Sequence, residues 1–303
     1  MRTFSEVTVD DVEQYESAYV EIAALTHPGA IRTNNEDQYA IIRRRRQSEV
    51  LARSFSLGEH EIQEENIEAF WLMVADGLGG QVSGEIASAT AIRAVMKYAS
   101  ELSSWVMRPL GELRSELETR LQLYGNAISQ AMCQQVEENP ELSGMATTLT
   151  SVYLFGNQAA ILNVGDSRSY LYRNRELQQL TEDHTLSQQL QQQGLSEKMA
   201  DAYRNVVTRC FDTSGKSTSF DLFLVTLEQD DQLLLCSDGL SDMVQDAEIC
   251  QLFRRDDPLP HTARNLINTA LRNGGRDNVT AVLARMCELG EFKKFRPKKF
   301  STT

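Results

Sequence analysis

The sequence has no run of about eighteen apolar residues of the kind that crosses a bilayer. Met1 to Asp10 has no apolar stretch behind a basic start, so neither a membrane span nor an export signal is expected. The five cysteines, Cys133, Cys210, Cys236, Cys250 and Cys287, are odd in number, scattered and free of any Cys-x-x-Cys pair. That pattern argues against a disulfide framework and a thiolate zinc site, and it fits a reducing cytoplasm. Histidine is scarce: His27, His60, His184 and His261 stand far apart with no i, i+4 pair, which serves zinc poorly. Positive charge is in deficit, with 30 basic against 43 acidic side chains and a net charge of -13. A general polyanion binder is disfavoured, and no nucleic-acid partner is expected.

What is present is the composition of a folded protein, 41% hydrophobic and 24% charged over 303 residues. A chain of that length buries roughly three quarters of its unfolded surface and needs no disulfide staples. Strand-like runs occupy Glu21 to His27, Gln38 to Arg43, Ala69 to Asp76, Ala146 to Phe155, Ala159 to Tyr172, Asp221 to Leu227, Gln232 to Asp238 and Val279 to Met286. Gly156 and Asn157 separate the fourth and fifth runs as a hairpin turn. Helical periodicity fills Gly84 to Leu102, Leu110 to Val136, Asp246 to Arg254 and His261 to Arg272, the last stopped by Gly274 and Gly275. Strands outnumber helices, helices come in blocks and hairpins recur. The expected class is therefore α+β: a central β-sandwich of two mostly antiparallel sheets with helices on both outer faces.

One folded body is expected over residues 20–287, preceded by an acidic extension, 1–19, and followed by a basic tail, 288–303. Within it, 43–68 reads as a long polar loop and 185–220 as a helical excursion beside the strands. The run Arg43 to Arg46 and the tail, where Phe292, Phe295 and Phe300 alternate with cations, read as solvated segments, with docking to an acidic partner or a membrane surface as the alternative.

Three apolar runs end in aspartate: at Asp76-Gly77, at Asp238-Gly239 and, through Gly165, at Asp166. Asp277 precedes the last strand, and Glu36 with Asp37 precedes the second. A single Asp-Gly is turn chemistry. Six carboxylates at strand ends, several beside glycines, are a different matter. Packed together they repel strongly in a low-dielectric site, and hard divalent ions such as magnesium or manganese, which prefer oxygen ligands, relieve that repulsion. Gly77, Gly79, Gly80 and Gly84 crowd the start of the first long helix but lack the Gly-Lys-Ser/Thr ending of a P-loop. Ser167 lacks the Gly-x-Ser-x-Gly frame of a nucleophile elbow.

In order along the chain, Arg32-Thr33-Asn34-Asn35-Glu36-Asp37, Asp76-Gly77-Leu78-Gly79-Gly80, Gly144-Met145-Ala146-Thr147-Thr148-Leu149, Gly165-Asp166-Ser167-Arg168, Asp183-His184-Thr185, Ser237-Asp238-Gly239-Leu240 and Gly275-Arg276-Asp277-Asn278-Val279-Thr280 form a specific series. It resembles the motif set of the metal-dependent serine/threonine protein phosphatases of type 2C, in their bacterial style. The resemblance implies two manganese or magnesium ions held by Asp76, Asp238, Asp277 and the Gly77 carbonyl, with Glu36 and Asp37 near the second ion, partly through water. It implies a third, weaker ion between Asp166 and Asp238, and a mobile flap after His184. Arg32, whose planar fork matches two phosphate oxygens, is expected to clamp the substrate, and Arg32 and Asp37 are the expected catalytic side chains. Its other simple use is a surface ion pair with Glu36.

Two cations sharing a water lower its pKa and aim it at phosphorus, so no phosphoenzyme is needed. Leu78 stands where animal members carry a histidine that protonates the leaving alkoxide, so that proton must come from water or another acid. Phosphorylated proteins are the expected substrates, a cognate protein kinase the expected counterpart and a monomer the expected state. The rivals are a catalytically dead module of the same fold that binds phosphoproteins, which would be expected to lack metal acids, and a phosphatase dedicated to one small regulatory phosphoprotein.

Overall fold

The computed structural model of the chain describes residues 6–17, 19–46, 67–79, 82–101, 114–216 and 218–287. In chain order the early strands are β1 (Glu13–Glu16), β2 (Val20–His27), β3 (Gln38–Arg46), β4 (Ile67–Ala75) and β5 (Gly77–Leu78). The middle strands are β6 (Ala146–Thr147), β7 (Leu149–Phe155), β8 (Gln158–Val164), β9 (Arg168–Arg173) and β10 (Glu176–Gln179). The last are β11 (Phe211–Asp212), β12 (Asp221–Thr226), β13 (Gln232–Cys236) and β14 (Val279–Met286). The helices are α1 (Val82–Glu101), α2 (Arg114–Glu138), α3 (Leu186–Gln192), α4 (Glu197–Ala200), α5 (Asp238–Ser241), α6 (Asp246–Phe253) and α7 (Leu259–Arg272).

Strands that are apolar on both faces need cover on both faces, and that need decides the layering. One sheet of six strands has the order β1-β2-β14-β13-β9-β10, another of five has the order β12-β8-β7-β4-β3, and a short third sheet joins β11, β6 and β5. Ile22, Ala24, Leu72, Val74, Val152, Ile161, Leu235 and Val282 fill the slab between the two large sheets. On the outer face of the five-stranded sheet, Trp71, Met73 and Tyr153 meet Ala91 and Ile92 of α1 and Ile128 and Met132 of α2. On the other outer face, Leu234, Ala281 and Leu283 meet Ile249 and Leu252 of α6 and Leu266, Ile267 and Ala270 of α7. Each fully buried Leu or Ile contributes on the order of 1.5 to 3 kcal/mol, so the stack is held by apolar burial on three levels. The expected α+β sandwich is the architecture found.

Several boundaries shift, each for a physical reason. The run Arg43 to Arg46 is not loop: β3 and β4 pair from Gln38 opposite Ala75 to Arg46 opposite Ile67, and Arg45 is ion-paired with the buried Glu68. The connection proposed at 43–68 thus shrinks to residues 47–66, which lie outside the described residues, as do Gly80 and the tail 288–303. The run Ala159 to Tyr172 is two strands, because Gly165, at φ 112°, turns the chain between β8 and β9. Two polar strands, β1 and β10, lie at the edges of the six-stranded sheet, where neither needs an apolar face. The acidic segment set apart as an extension therefore adds a strand, and ahead of it Asn268 of α7 clasps the Val7 main chain through both N–H (3.0 Å) and C=O (3.0 Å).

Candidate active site

Antiparallel alternation brings the exits of β4, β8 and β13 to the same end as the entries of β3 and β14. Asp37 leads into β3, Asp76 follows β4, Asp166 lies in the turn after β8, and Asp277 leads through Asn278 into β14. Asp238 is not a strand end: it is the first residue of α5, one step beyond Ser237. The structure gathers all six predicted acids at this end, where Asp37, Asp76, Asp166, Asp238 and Asp277 act on one another.

Asp37 is 1% exposed. Its Oδ2 accepts from Ser237 Oγ (2.6 Å) and Thr280 Oγ1 (2.7 Å), while its Oδ1 is buried with no partner. Desolvation pushes it up to about 7 despite those two bonds, and the charges of Asp238 and Asp277 add to the shift. Asp166 is pushed up to about 8 by desolvation and then by Asp238. Asp238 is pushed up to about 6 by desolvation and then by Asp242. Asp76 rises well above the ordinary range by desolvation, with Asp238, Asp37 and Asp166 all contributing, and its hydrogen bond to Asp238 raises it further. Burial and mutual repulsion raise all four, and among the described residues none of Asp37, Asp76, Asp166 and Asp238 has a lysine, arginine or histidine as ion-pair partner.

Around them the backbone is fixed by Asn278, Thr147 and Thr148, small polar residues of the acidic motifs to which the spacing of those motifs assigns no role. Asn278 accepts the Glu36 N–H (2.8 Å) and donates to the carbonyls of Pro28 (2.9 Å) and Asn34 (2.8 Å), tying the 28–36 loop to β14. Thr147 and Thr148 fix Asp76: Thr147 Oγ1 donates to its carbonyl (2.8 Å) and its N–H donates to Thr148 Oγ1 (3.0 Å). The available signal was that these small polar residues sit inside or beside the acidic motifs. The glycines at the start of α1 also find their use here. A side chain at Gly84 would collide with the Glu36 carboxylate, and one at Gly77 with the Gly84 carbonyl, so these positions permit the close approach of loop and helix that Glu36 needs.

Arg32 stands at the rim, its side chain 51% exposed, and Nη2 donates to Asp277 Oδ2 at 2.7 Å. Its partner is therefore Asp277 rather than Glu36, whose carboxylate accepts from Asn34 (3.2 Å). A pair this exposed is worth about 1 kcal/mol or less, weak enough for an incoming phosphate to displace. His184 is no ligand. Its Nδ1 accepts the Gly165 N–H (2.9 Å) and its Nε2 meets Asp221 Oδ2 (2.8 Å), and burial lowers it, which keeps the ring neutral.

Among the described residues no group of three Asp, Glu, His or Cys side chains forms a ready cation cage. The donor set nevertheless fits hard cations. It is all oxygen, its aspartates are raised by desolvation and mutual repulsion, and one buried carboxylate oxygen lacks any partner.

Residues 60–284 match the family described as Protein phosphatase 2C. The serine/threonine phosphatase stp of Listeria innocua is 35% identical over 215 residues, covering 70% of this chain and 82% of that protein. Protein phosphatase PhpP of Streptococcus pneumoniae is 31% identical over 276 residues, covering 89% and 98%. The crystal structure of the Mycobacterium tuberculosis serine/threonine phosphatase PstP/Ppp superposes with a TM-score of 0.67 at 32% identity, covering 89% of this chain and 99% of that one. A structure of the PstP catalytic domain in complex with two manganese ions gives 0.67 at 33% identity over the same shares. A sandwich of antiparallel sheets with an acidic cluster at one end is the form of a metal-dependent hydrolase. The chain belongs to the protein phosphatase 2C family. The family match begins at residue 60, beyond Arg32, Glu36 and Asp37, which reach the site through the ties of the 28–36 loop to β14 and the bonds of Asp37 to Ser237 and Thr280.

Proposed function

We infer that this protein is a metal-dependent serine/threonine phosphatase that hydrolyses phosphoserine and phosphothreonine in proteins. The observation that carries the reading is the cluster of Asp37, Asp76, Asp166 and Asp238, raised together at one end of the sandwich beside an exposed arginine. Divalent ions bound by Asp76, the Gly77 carbonyl, Asp238 and Asp277 would supply an ionised water near neutral pH and neutralise charge on the phosphoryl oxygens.

The chain's own residues do the rest. Arg32 exchanges Asp277 for the substrate phosphate and orients it by a two-pronged hydrogen bond. Ser237 and Thr280 hold Asp37 Oδ2, which leaves Oδ1 to accept a proton or hydrogen bond from water. Glu36, fixed by Asn278 and seated on Gly84, acts through water in the next layer. Leu78 in β5 offers no proton to the leaving group. We further propose a third, weaker ion at Asp166 and Asp238, magnesium as an alternative to manganese, and a monomer that opposes a protein kinase in the cytoplasm. What supports a reducing compartment is that all five cysteines are free.

The test is release of phosphate from phosphothreonine peptides with and without manganese. Full turnover in excess chelator, after the bound ions have been shown to be gone, would overturn the metal-dependent reading.

A further inference from the structure

The two large sheets part along one side, between the edge strands β1 and β3, leaving a groove of about 430 Å³. Its direction follows from register. Glu13 pairs with Ala24 and Tyr15 with Ile22, both residues of the slab between the sheets, so Glu13 and Tyr15 face that same side. Tyr39 and Ile41 of β3 face them from across the gap. Thr26, Asn35 and Asp37 line the more deeply covered end, where Asn35 donates to Thr26 (2.8 Å), Thr26 meets Thr280 (2.7 Å) and Thr280 donates to Asp37 (2.7 Å). The groove thus runs from Tyr15, 50% exposed, to Asp37, 1% exposed, which belongs to the candidate active site.

Its charge is of one sign. The charged residues lining it are Glu13 and Asp37, and among the described residues no lysine, arginine or histidine lines it. The first cation along this face of β3, Arg43, comes two residues after Ile41, past the exposed end of the groove and away from Asp37. Glu13 lies at the hydroxyls of Tyr15 (3.4 Å) and Tyr39, which brace its carboxylate over the gap. At the inner end, Asp37 Oδ1 is buried with nothing to accept from. An acidic side chain braced between two aromatic rings suits a chain carrying a positive side chain.

We propose that this groove receives the segment of a phosphoprotein substrate that flanks the phosphorylated residue, and that it selects a lysine or arginine there through Glu13 and the faces of Tyr15 and Tyr39. The proposal rests on the phosphatase reading and names the substrate class that the reading leaves open. It also gives the N-terminal segment a role: the Asn268 clasp on Val7 and the burial of Val12 against α7 set the position of β1, and β1 supplies one wall of the groove.

The test compares two phosphothreonine peptides that differ only in carrying lysines or alanines beside the phosphothreonine, assayed in manganese with the full chain, with p-nitrophenyl phosphate alongside to report on the chemical centre. The readout is the ratio of kcat/KM for the basic peptide to that for the neutral one, which does not depend on the fraction of enzyme folded. In the parent the ratio should be about three to ten at low salt and shrink as salt screens the pair. Glu13→Gln should bring it towards one and Glu13→Lys below one, mostly through KM. Turnover of both peptides at a ratio near one in the parent, or a ratio that Glu13→Lys leaves in place, would overturn the groove alone. No turnover of either peptide, with p-nitrophenyl phosphate still cleaved, would overturn the protein-substrate reading and the groove with it.

Discussion

β13 carries an aspartate just before its start and another just past its end, and the chain treats them in opposite ways. Asp231, 2% exposed, accepts from Arg173 through Nε (2.9 Å) and Nη2 (2.5 Å) and from the Glu228 N–H (2.6 Å). Its charge is matched within the protein. Among the described residues Asp238 has no such ion-pair partner: it shares a hydrogen bond with Asp76, faces Asp242 and Asp277, and lies in the cluster with Asp37 and Asp166. Asp183, close by, is matched by the bidentate Arg168 (2.9 and 2.6 Å), so arginine is available to this end of the sandwich and is directed elsewhere. One end uses an ion pair to hold the sheet, while the other leaves Asp76, Asp166 and Asp238 without an ion-pair partner among the described residues, at a cost in stability, the condition under which external cations bind strongly.

The largest effect that would test this contrast is on turnover. Asp238→Asn keeps volume and removes a charge of the proposed metal site, so phosphopeptide hydrolysis at saturating manganese should fall by more than about a hundredfold, while stability in chelator stays level or rises because repulsion is relieved. Parent-like turnover would remove Asp238 from the site. Asp231→Asn should do the reverse. Unfolding free energy in urea should drop by about 2 to 3 kcal/mol, less than for a fully buried pair because the Arg173 side chain is 28% exposed, with turnover per folded molecule unchanged.

Manganese at a hundred times its dissociation constant should add about 2.7 kcal/mol to the stability of the parent. The same increment is expected in the Asp231 variant and a much smaller one in the Asp238 variant; equal increments in both would erase the distinction between the two ends. Arg32→Ala should weaken phosphopeptide binding by roughly tenfold, about 1.5 kcal/mol, and leave calorimetric manganese affinity intact, because Arg32 only covers Asp277. A variant that lost manganese but kept peptide affinity would reverse those roles.

The smallest effect is the pH response of His184. Its folded pKa is depressed by burial, so its contribution is present above the ordinary value of 6.5 and is lost as pH falls from there through the folded value. Urea midpoints should show the parent losing about 1 kcal/mol or less more than His184→Gln between pH 7.5 and pH 5.5. An identical response in the two proteins would mean that the ring is not held neutral between Gly165 and Asp221.

Much of this was legible along the chain, and the exceptions share a cause. Val279 to Met286 reads as a strand and is one, to the residue, because it is apolar on both faces. Glu13–Glu16 and Glu176–Gln179 gave no such signal, since an edge strand is specified by a neighbour's free hydrogen-bonding groups and not by its own side chains. At the site, the acids announced themselves beside glycines. The Arg32 to Asp277 pair spans 245 positions, and the Ser237 and Thr280 bonds to Asp37 span 200 and 243, so no local pattern could reveal them.

The sequence by itself determined the strand-rich class, the helical blocks and the acidic motifs, because periodicity and turn chemistry act over a few residues. Only the tertiary structure decided which acids receive a cation from the chain and which do not. That choice depends on which strand ends meet, on desolvation at the place where they meet, and on where each arginine can reach, and those are properties of the packed sheets rather than of any segment within them.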